Sequence, residues 1–203
     1  MNKRLYLVSL FSALLLGMVA IGVVLSTRSA QFRGTTYAEP YPVAGDFALT
    51  QFDGTRFKLS DLRGKTVLLF FGYTSCPDVC PTTLAELNRT LEELGPNQVD
   101  EVQVVFITVD PERDDATRVQ EYVNHFNSGF IGLSGSEPDL SKVWNQYGIF
   151  REIVDGTSAA GYLVNHTARV TLIDKDGNLR VSFAFETPVE DIVHDLKLVI
   201  EQD

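Results

Sequence analysis

The stretch that decides the fold reads Val67–Leu68–Leu69–Phe70–Phe71–Gly72–Tyr73–Thr74–Ser75–Cys76–Pro77–Asp78–Val79–Cys80–Pro81. Its first five residues are an unbroken apolar run, as expected of a strand buried on both faces. Beyond Pro81, Leu84, Leu87, Leu91 and Leu94 recur near the helical period until Gly95–Pro96 ends them. Strand, short loop and helix make the opening of a β–α unit. Both cysteines of the chain lie in the connection between strand and helix.

The same alternation extends to either side. Upstream, Phe47–Thr50 and Arg56–Leu59 flank Asp53–Gly54 and predict a hairpin. Downstream, Val102–Val109 reads as the next strand, and Val119, Tyr122, Val123 and Phe126 as a helix with Asp114 as N-cap. Phe130–Leu133 reads as a short strand, and Leu140, Val143, Trp144 and Tyr147 as a further helix. Val170–Ile173 and Val181–Phe185 around Lys175–Asp176–Gly177 predict a second hairpin. Thr187–Pro188–Val189–Glu190 has the pattern of a capping box with Pro at N1, opening a last helix through Ile192, Val193, Leu196 and Val199. This order predicts an α/β domain whose central mixed sheet is covered on both faces, three layers in all. Periodicity alone does not choose among three-layer folds.

The N-terminus has a different character. Leu5 to Leu25 carries no charge, and at 1.5 Å per residue it spans roughly 30 Å, the thickness of a bilayer's hydrocarbon core. The competing reading is a cleaved signal peptide, whose apolar core is shorter, about 7–15 residues. Length favours an uncleaved transmembrane helix, and Lys3 and Arg4 favour a cytoplasmic N-terminus. Expected boundaries are 1–26 for the cytoplasmic N-terminus and anchor, 27–43 for a Pro-containing linker and 44–203 for the globular domain. That domain is expected in the periplasm, tethered by a single pass to a bacterial inner membrane.

Formal net charge is −10 over 203 residues. Lys3, Arg4, Arg28 and Arg33 are the only charges before Glu39, so the globular part is more acidic still. A phosphate backbone would repel it, and nucleic-acid binding is excluded as an expectation. A hydrophobic content of 44% supports a packed core rather than disorder.

Cys76 and Cys80 are separated by three residues, too short a loop for a disulfide to stabilise the fold much. The spacing points instead to metal ligation, thiol–disulfide exchange, or both. With Pro81 at N1, Cys80 is expected at or next to the N-cap, where the helix's positive end favours a thiolate. Two soft thiolates suit Cu(I), zinc or iron–sulfur chemistry. Zinc would be left short of ligands and a cluster lacks a second cysteine pair, so ligand count favours copper. One imidazole would extend the site to Cu(II). Of the three histidines, His125 and His194 fall in helices and read as surface positions, whereas His166 falls in a connection before Val170–Ile173 and is the candidate ligand.

Three segments together resemble the Sco/SenC family: Phe71–Gly72–Tyr73–Thr74–Ser75–Cys76–Pro77–Asp78–Val79–Cys80–Pro81, Val109–Asp110–Pro111–Glu112–Arg113–Asp114, and the His166 segment followed by Leu172–Ile173–Asp174. Asp46–Thr50 and Leu59–Lys65 are similar too. The resemblance implies a thioredoxin-like domain that binds copper through Cys76, Cys80 and His166, with Asp78 and Asp110 as supporting residues. It further implies metallochaperone action on the copper-bearing subunit of cytochrome c oxidase, at its dinuclear copper centre. The alternative activity is a thiol–disulfide oxidoreductase with Cys76 and Cys80 as the redox pair, keeping the oxidase's copper-ligand cysteines reduced. Other periplasmic copper carriers or thiol reductases are the remaining expected partners.

Overall fold

The computed structural model describes Phe11, residues 31–158 and residues 161–202. The chain falls into two units, 1–31 and 32–203. The expected membrane helix over 5–25 lies, but for Phe11, outside the described residues. Among the described residues no helix is long and apolar enough to cross a membrane.

The second unit is built on β4 (Thr66–Gly72), the apolar run of the opening stretch, and every one of its residues is buried. It pairs in parallel with β5 (Val102–Thr108), which pairs in parallel with β6 (Ile131–Leu133). On its other side β4 runs antiparallel to β9 (Arg169–Ile173), which forms the expected hairpin with β10 (Leu179–Ala184). With β1 (Thr35–Thr36) at one edge, the six-stranded order is β1–β10–β9–β4–β5–β6, a mixed sheet of thioredoxin-like type. Strands this apolar need cover on both faces. Among the described residues of this unit the α-helices are α1 (Val79–Leu94), α2 (Ala116–Asn124), α3 (Glu137–Gln146) and α4 (Val189–Gln202). α1 and α4 pack on one another, and α2 packs on β6. Leu84, Leu87, Phe70, Phe106 and Leu196 are fully buried, each such side chain favouring the folded state by ~1.5–3 kcal/mol.

Three local expectations change. Asp114 is not the cap of α2; Asp115 is, its carboxylate accepting the Arg118 N–H. Adjacent aspartates offer the same capping chemistry to a sequence reading, and Asp114 is drawn inside by the hydroxyls of Thr74, in the loop after β4, and Thr108, at the end of β5. The segment read as a linker also adds structure: β1 (Thr35–Thr36) pairs with β10, and the Leu179 N–H donates to the Pro42 carbonyl. Finally, a second two-stranded ribbon, β7 (Arg151–Ser158) with β8 (Gly161–His166), stands apart from the main sheet, as does the expected β2 (Ala48–Thr50) and β3 (Arg56–Lys58) hairpin.

Candidate metal centre

β4 ends at Gly72 and α1 starts at Val79, so Cys76 rides the loop between them and Cys80 is the second helical residue. Asp78, rather than Cys80, is the N-cap, and Pro81 stands third in the helix. Pro is tolerated there because none of the first-turn N–H groups has an intrahelical acceptor. The free Cys80 N–H instead donates to Cys76 Sγ at 3.4 Å. The helix's positive end therefore serves the other sulfur from the one expected: Cys76 receives it, while the side chain of Cys80 turns into the core and is fully buried.

The two free thiols are consequently unlike. Cys76 is pulled down to about 5, first by the hydrogen bond from the Cys80 thiol, against the opposing effect of burial, and then by the Asp78 and Cys80 N–H groups. Cys80 is pushed well above its ordinary value by giving that same hydrogen bond and by burial. At neutral pH this is a half-buried thiolate beside a buried thiol.

The loop is held from below. Asp114, fully buried, accepts the Thr74 N–H at 2.9 Å, the Thr74 hydroxyl, and the Thr108 hydroxyl at 2.8 Å. Burial pushes its carboxyl up despite these donors. It joins the ends of β4 and β5 two residues before Cys76. The sequence offered one unused signal: an Asp flanked by a second capping Asp, so that one of the two was free for another task.

His166 ends β8, paired across the ribbon with Arg151. Its Nε2 lies 3.9 Å from Cys80 Sγ, and its Nδ1 lies 3.1 Å from the Thr167 carbonyl oxygen. A carbonyl only accepts, so Nδ1 carries the hydrogen and the Nε2 lone pair faces the sulfur. Burial lowers the pKa of His166, which keeps the ring neutral. Tyr73 stands edge-on to it, ring centres 5.9 Å apart. A cleft of about 230 Å³ opens beside the group, walled by Tyr73, Cys76, Asp78, Leu163, His166 and Ala168. The two sulfurs and the imidazole thus adjoin in pairs, though among the described residues no three His, Cys, Asp or Glu side chains are already closed into a metal cage.

A family model described as SCO1/SenC matches residues 35–201. The chain belongs to the SCO1/SenC family. The SCO2-like protein of Rickettsia felis is 32% identical over 202 residues, covering 97% of this chain and 98% of its relative. The solution structure of apo Sco1 from Thermus thermophilus is similar at 39% identity and a TM-score of 0.74, over 84% of this chain and 98% of that one. ScoI of Bradyrhizobium japonicum, solved with copper bound, is similar at 37% identity and a TM-score of 0.69, over 77% of this chain and 99% of that one.

Within this SCO1/SenC domain the two aspartates singled out in the sequence sit differently. Asp78 is exposed at the mouth of the cleft, and its backbone N–H rather than its carboxylate acts on Cys76. Asp110 is fully buried just past β5, bonded to Arg113 and to the Tyr162 hydroxyl. His125 and His194 take no part: the first caps α2 with Nδ1 2.7 Å from the Glu121 carbonyl, and the second contacts Asp195.

Proposed function

We propose that this SCO1/SenC chain carries copper as cargo, bound by Cys76, Cys80 and His166, for assembly of the dinuclear copper centre of cytochrome c oxidase. The orientation of His166 carries the reading: a neutral imidazole fixed through Nδ1 to a backbone carbonyl presents Nε2 to a cysteine sulfur. Metal-binding histidines are fixed in this way, with the second ring nitrogen donating to a carbonyl or carboxylate. Two thiolates and one imidazole suit Cu(I), and accommodate Cu(II) with an added ligand. The copper-bound Bradyrhizobium relative supports the choice of metal, and the motif resemblance supports the oxidase subunit as recipient. In this reading residues 5–25 tether the domain to the bacterial inner membrane, and it works in the periplasm beside the oxidase, other copper carriers and thiol reductases.

The asymmetry of the thiols favours a second activity on the same residues. Cys76 attacks a disulfide of the recipient and expels one thiolate; Cys80 gives up its proton and closes on Cys76, expelling the second. The recipient gains two electrons, and the Cys76–Cys80 disulfide formed here is reset by a dithiol reductant.

The deciding experiment is anaerobic copper titration of the reduced chain with and without His166→Ala, followed by transfer to an oxidase copper subunit with its disulfide state monitored. Loss of affinity and of the sulfur-to-copper absorption of the Cu(II) form is expected in the variant. Unchanged stoichiometry, affinity and absorption would remove His166 from the site. Turnover of a mixed disulfide without copper transfer would leave only the second activity.

A further inference from the structure

We infer that Arg113 is a positioning residue for His166, the latch that holds the ribbon bearing the imidazole against the body bearing the thiols. The inference rests on the proposed role of His166 as a copper ligand. The two halves of the ligand set come from different pieces of structure. Cys76 belongs to the β4–α1 connection and Cys80 to the first turn of α1, whereas His166 ends β8, and among the described residues the β7–β8 ribbon shares no strand pairing with the six-stranded sheet. β8 leads into β9 through Thr167 and Ala168, and away from that junction side chains hold the edge of β8 that β7 leaves unpaired.

Arg151, paired with His166 across the ribbon, ties that end to the body by donating to the Val109 carbonyl; at the Tyr162 end of β8 the hold is Arg113. Its Nη1 donates to the Tyr162 carbonyl of β8 at 2.9 Å, and its guanidinium lies over the Tyr162 ring, 3.7 Å from the ring centre. Its Nε donates to Asp110 Oδ2, and the Tyr162 hydroxyl donates to Asp110 Oδ1 at 2.7 Å. Burial and this donation push the Tyr162 phenol up to about 12, so the hydroxyl keeps its hydrogen. Asp110, Arg113 and Tyr162 close a ring of contacts. Its root is firm, because the Asp110 N–H donates to the Thr108 hydroxyl at 2.9 Å and the Asp110 carbonyl accepts the N–H groups of Arg113 and Asp114.

The latch reaches His166 by two routes. Along β8, Tyr162, Val164 and His166 share a face by the two-residue period of a strand, so fixing the first aims the last. Across the cleft, the Arg113 guanidinium is 5.7 Å from the centre of the Tyr73 ring, the ring that stands edge-on to His166. A planar guanidinium can hold a carboxylate, a carbonyl and an aromatic face together; a lysine ammonium cannot.

The test compares Arg113→Met and Arg113→Lys with the parent chain by amide hydrogen exchange in the reduced, copper-free state, then by copper binding. Exchange at Leu163, Val164 and His166 is expected to quicken by about tenfold or more in both variants, while β4 and β5 amides keep their protection. Copper affinity is expected to fall about 10–100-fold, with loss of nitrogen hyperfine coupling in the Cu(II) spectrum. In a His166→Ala background Arg113→Lys should cost nothing further. Unchanged exchange along β8 overturns the inference, as does an equal affinity loss with and without His166. If His166→Ala leaves copper binding intact while β8 still loosens in the arginine variants, the latch stands and the ligand assignment falls. Should the methionine variant fail to fold, the lysine variant retains the charge beside buried Asp110 and decides the question.

Discussion

A Cβ on Gly72 would lie 2.7 Å from the sulfur of Cys80, and equally close to the Phe106 ring. Gly72 ends β4 where the first helical turn of α1 returns over the sheet, and its missing side chain is the space the buried thiol fills. Gly72→Ala should therefore push that sulfur aside and destabilise the domain by about 1–3 kcal/mol through overpacking. Urea denaturation would measure the loss. A variant as stable as the parent, with unchanged copper affinity, would show that Cys80 does not depend on this space.

The unequal thiols predict selective modification. With Cys76 held at about 5, its alkylation rate should already be on a plateau at pH 7, while Cys80 stays protected by burial and protonation. Removing the thiol donor in Cys80→Ala should shift the midpoint of the Cys76 profile upward, since that hydrogen bond is the leading cause of its lowering. The depressed Cys76 value also stabilises the reduced fold, fully above the unfolded thiol's range and progressively less as pH falls toward 5. Mass spectrometry of each cysteine across pH would check both points; equal labelling of the two at pH 7 would refute the asymmetry.

Copper loading should release protons in a defined number. At pH 7 Cys76 is already a thiolate and His166 already neutral, so only Cys80 has a proton to lose, about one per copper. Affinity should rise about tenfold per pH unit over the neutral range, and more steeply below pH 5, where Cys76 must also give up a proton. Calorimetry in buffers of different ionisation enthalpy counts the protons. Release of two at pH 7 would contradict the thiolate assignment.

Asp114→Ala should strip three donors of their acceptor at once: the Thr74 N–H, the Thr74 hydroxyl and the Thr108 hydroxyl. Leaving such groups buried and unpaired costs ~1–3 kcal/mol apiece before relaxation. We expect a loss of about 2–4 kcal/mol in stability and weaker copper binding, because Thr74 is the floor of the cysteine loop. Loss of stability without any change in copper affinity would show that the loop holds its shape unaided.

Much of this is legible in the sequence. The runs Val67–Phe71 and Val102–Val109 are too apolar to lie anywhere but the sheet centre, and the cysteine spacing with its following proline located the site. Three things are not. In the β7–β8 ribbon Arg151, Glu152, Asp155 and Asn165 are interspersed among Ile153, Val154, Leu163 and Val164, so it lacks the contrast of a core strand despite the eight residues of β7. Asp110 and Asp114 are carboxylates in a loop, a pattern that ordinarily means solvent, and only the strand ends converging on them reveal burial. Which sulfur takes the helix's positive end depends on where the first turn begins, and a Pro fits any position of that turn.

The edge of β10 has a practical consequence for handling the domain. Thr35 and Thr36 pair with Val181 and Ser182, the Tyr37 N–H donates to the Arg180 carbonyl, and Val43 bridges Asn178. A fragment trimmed at residue 44, where composition places the domain boundary, would strip this cover and leave a flat row of unpaired backbone groups, a template for self-association. One beginning at residue 31 would retain it. The stretch that reads as a spacer is also the guard that keeps neighbouring copies from joining sheet to sheet.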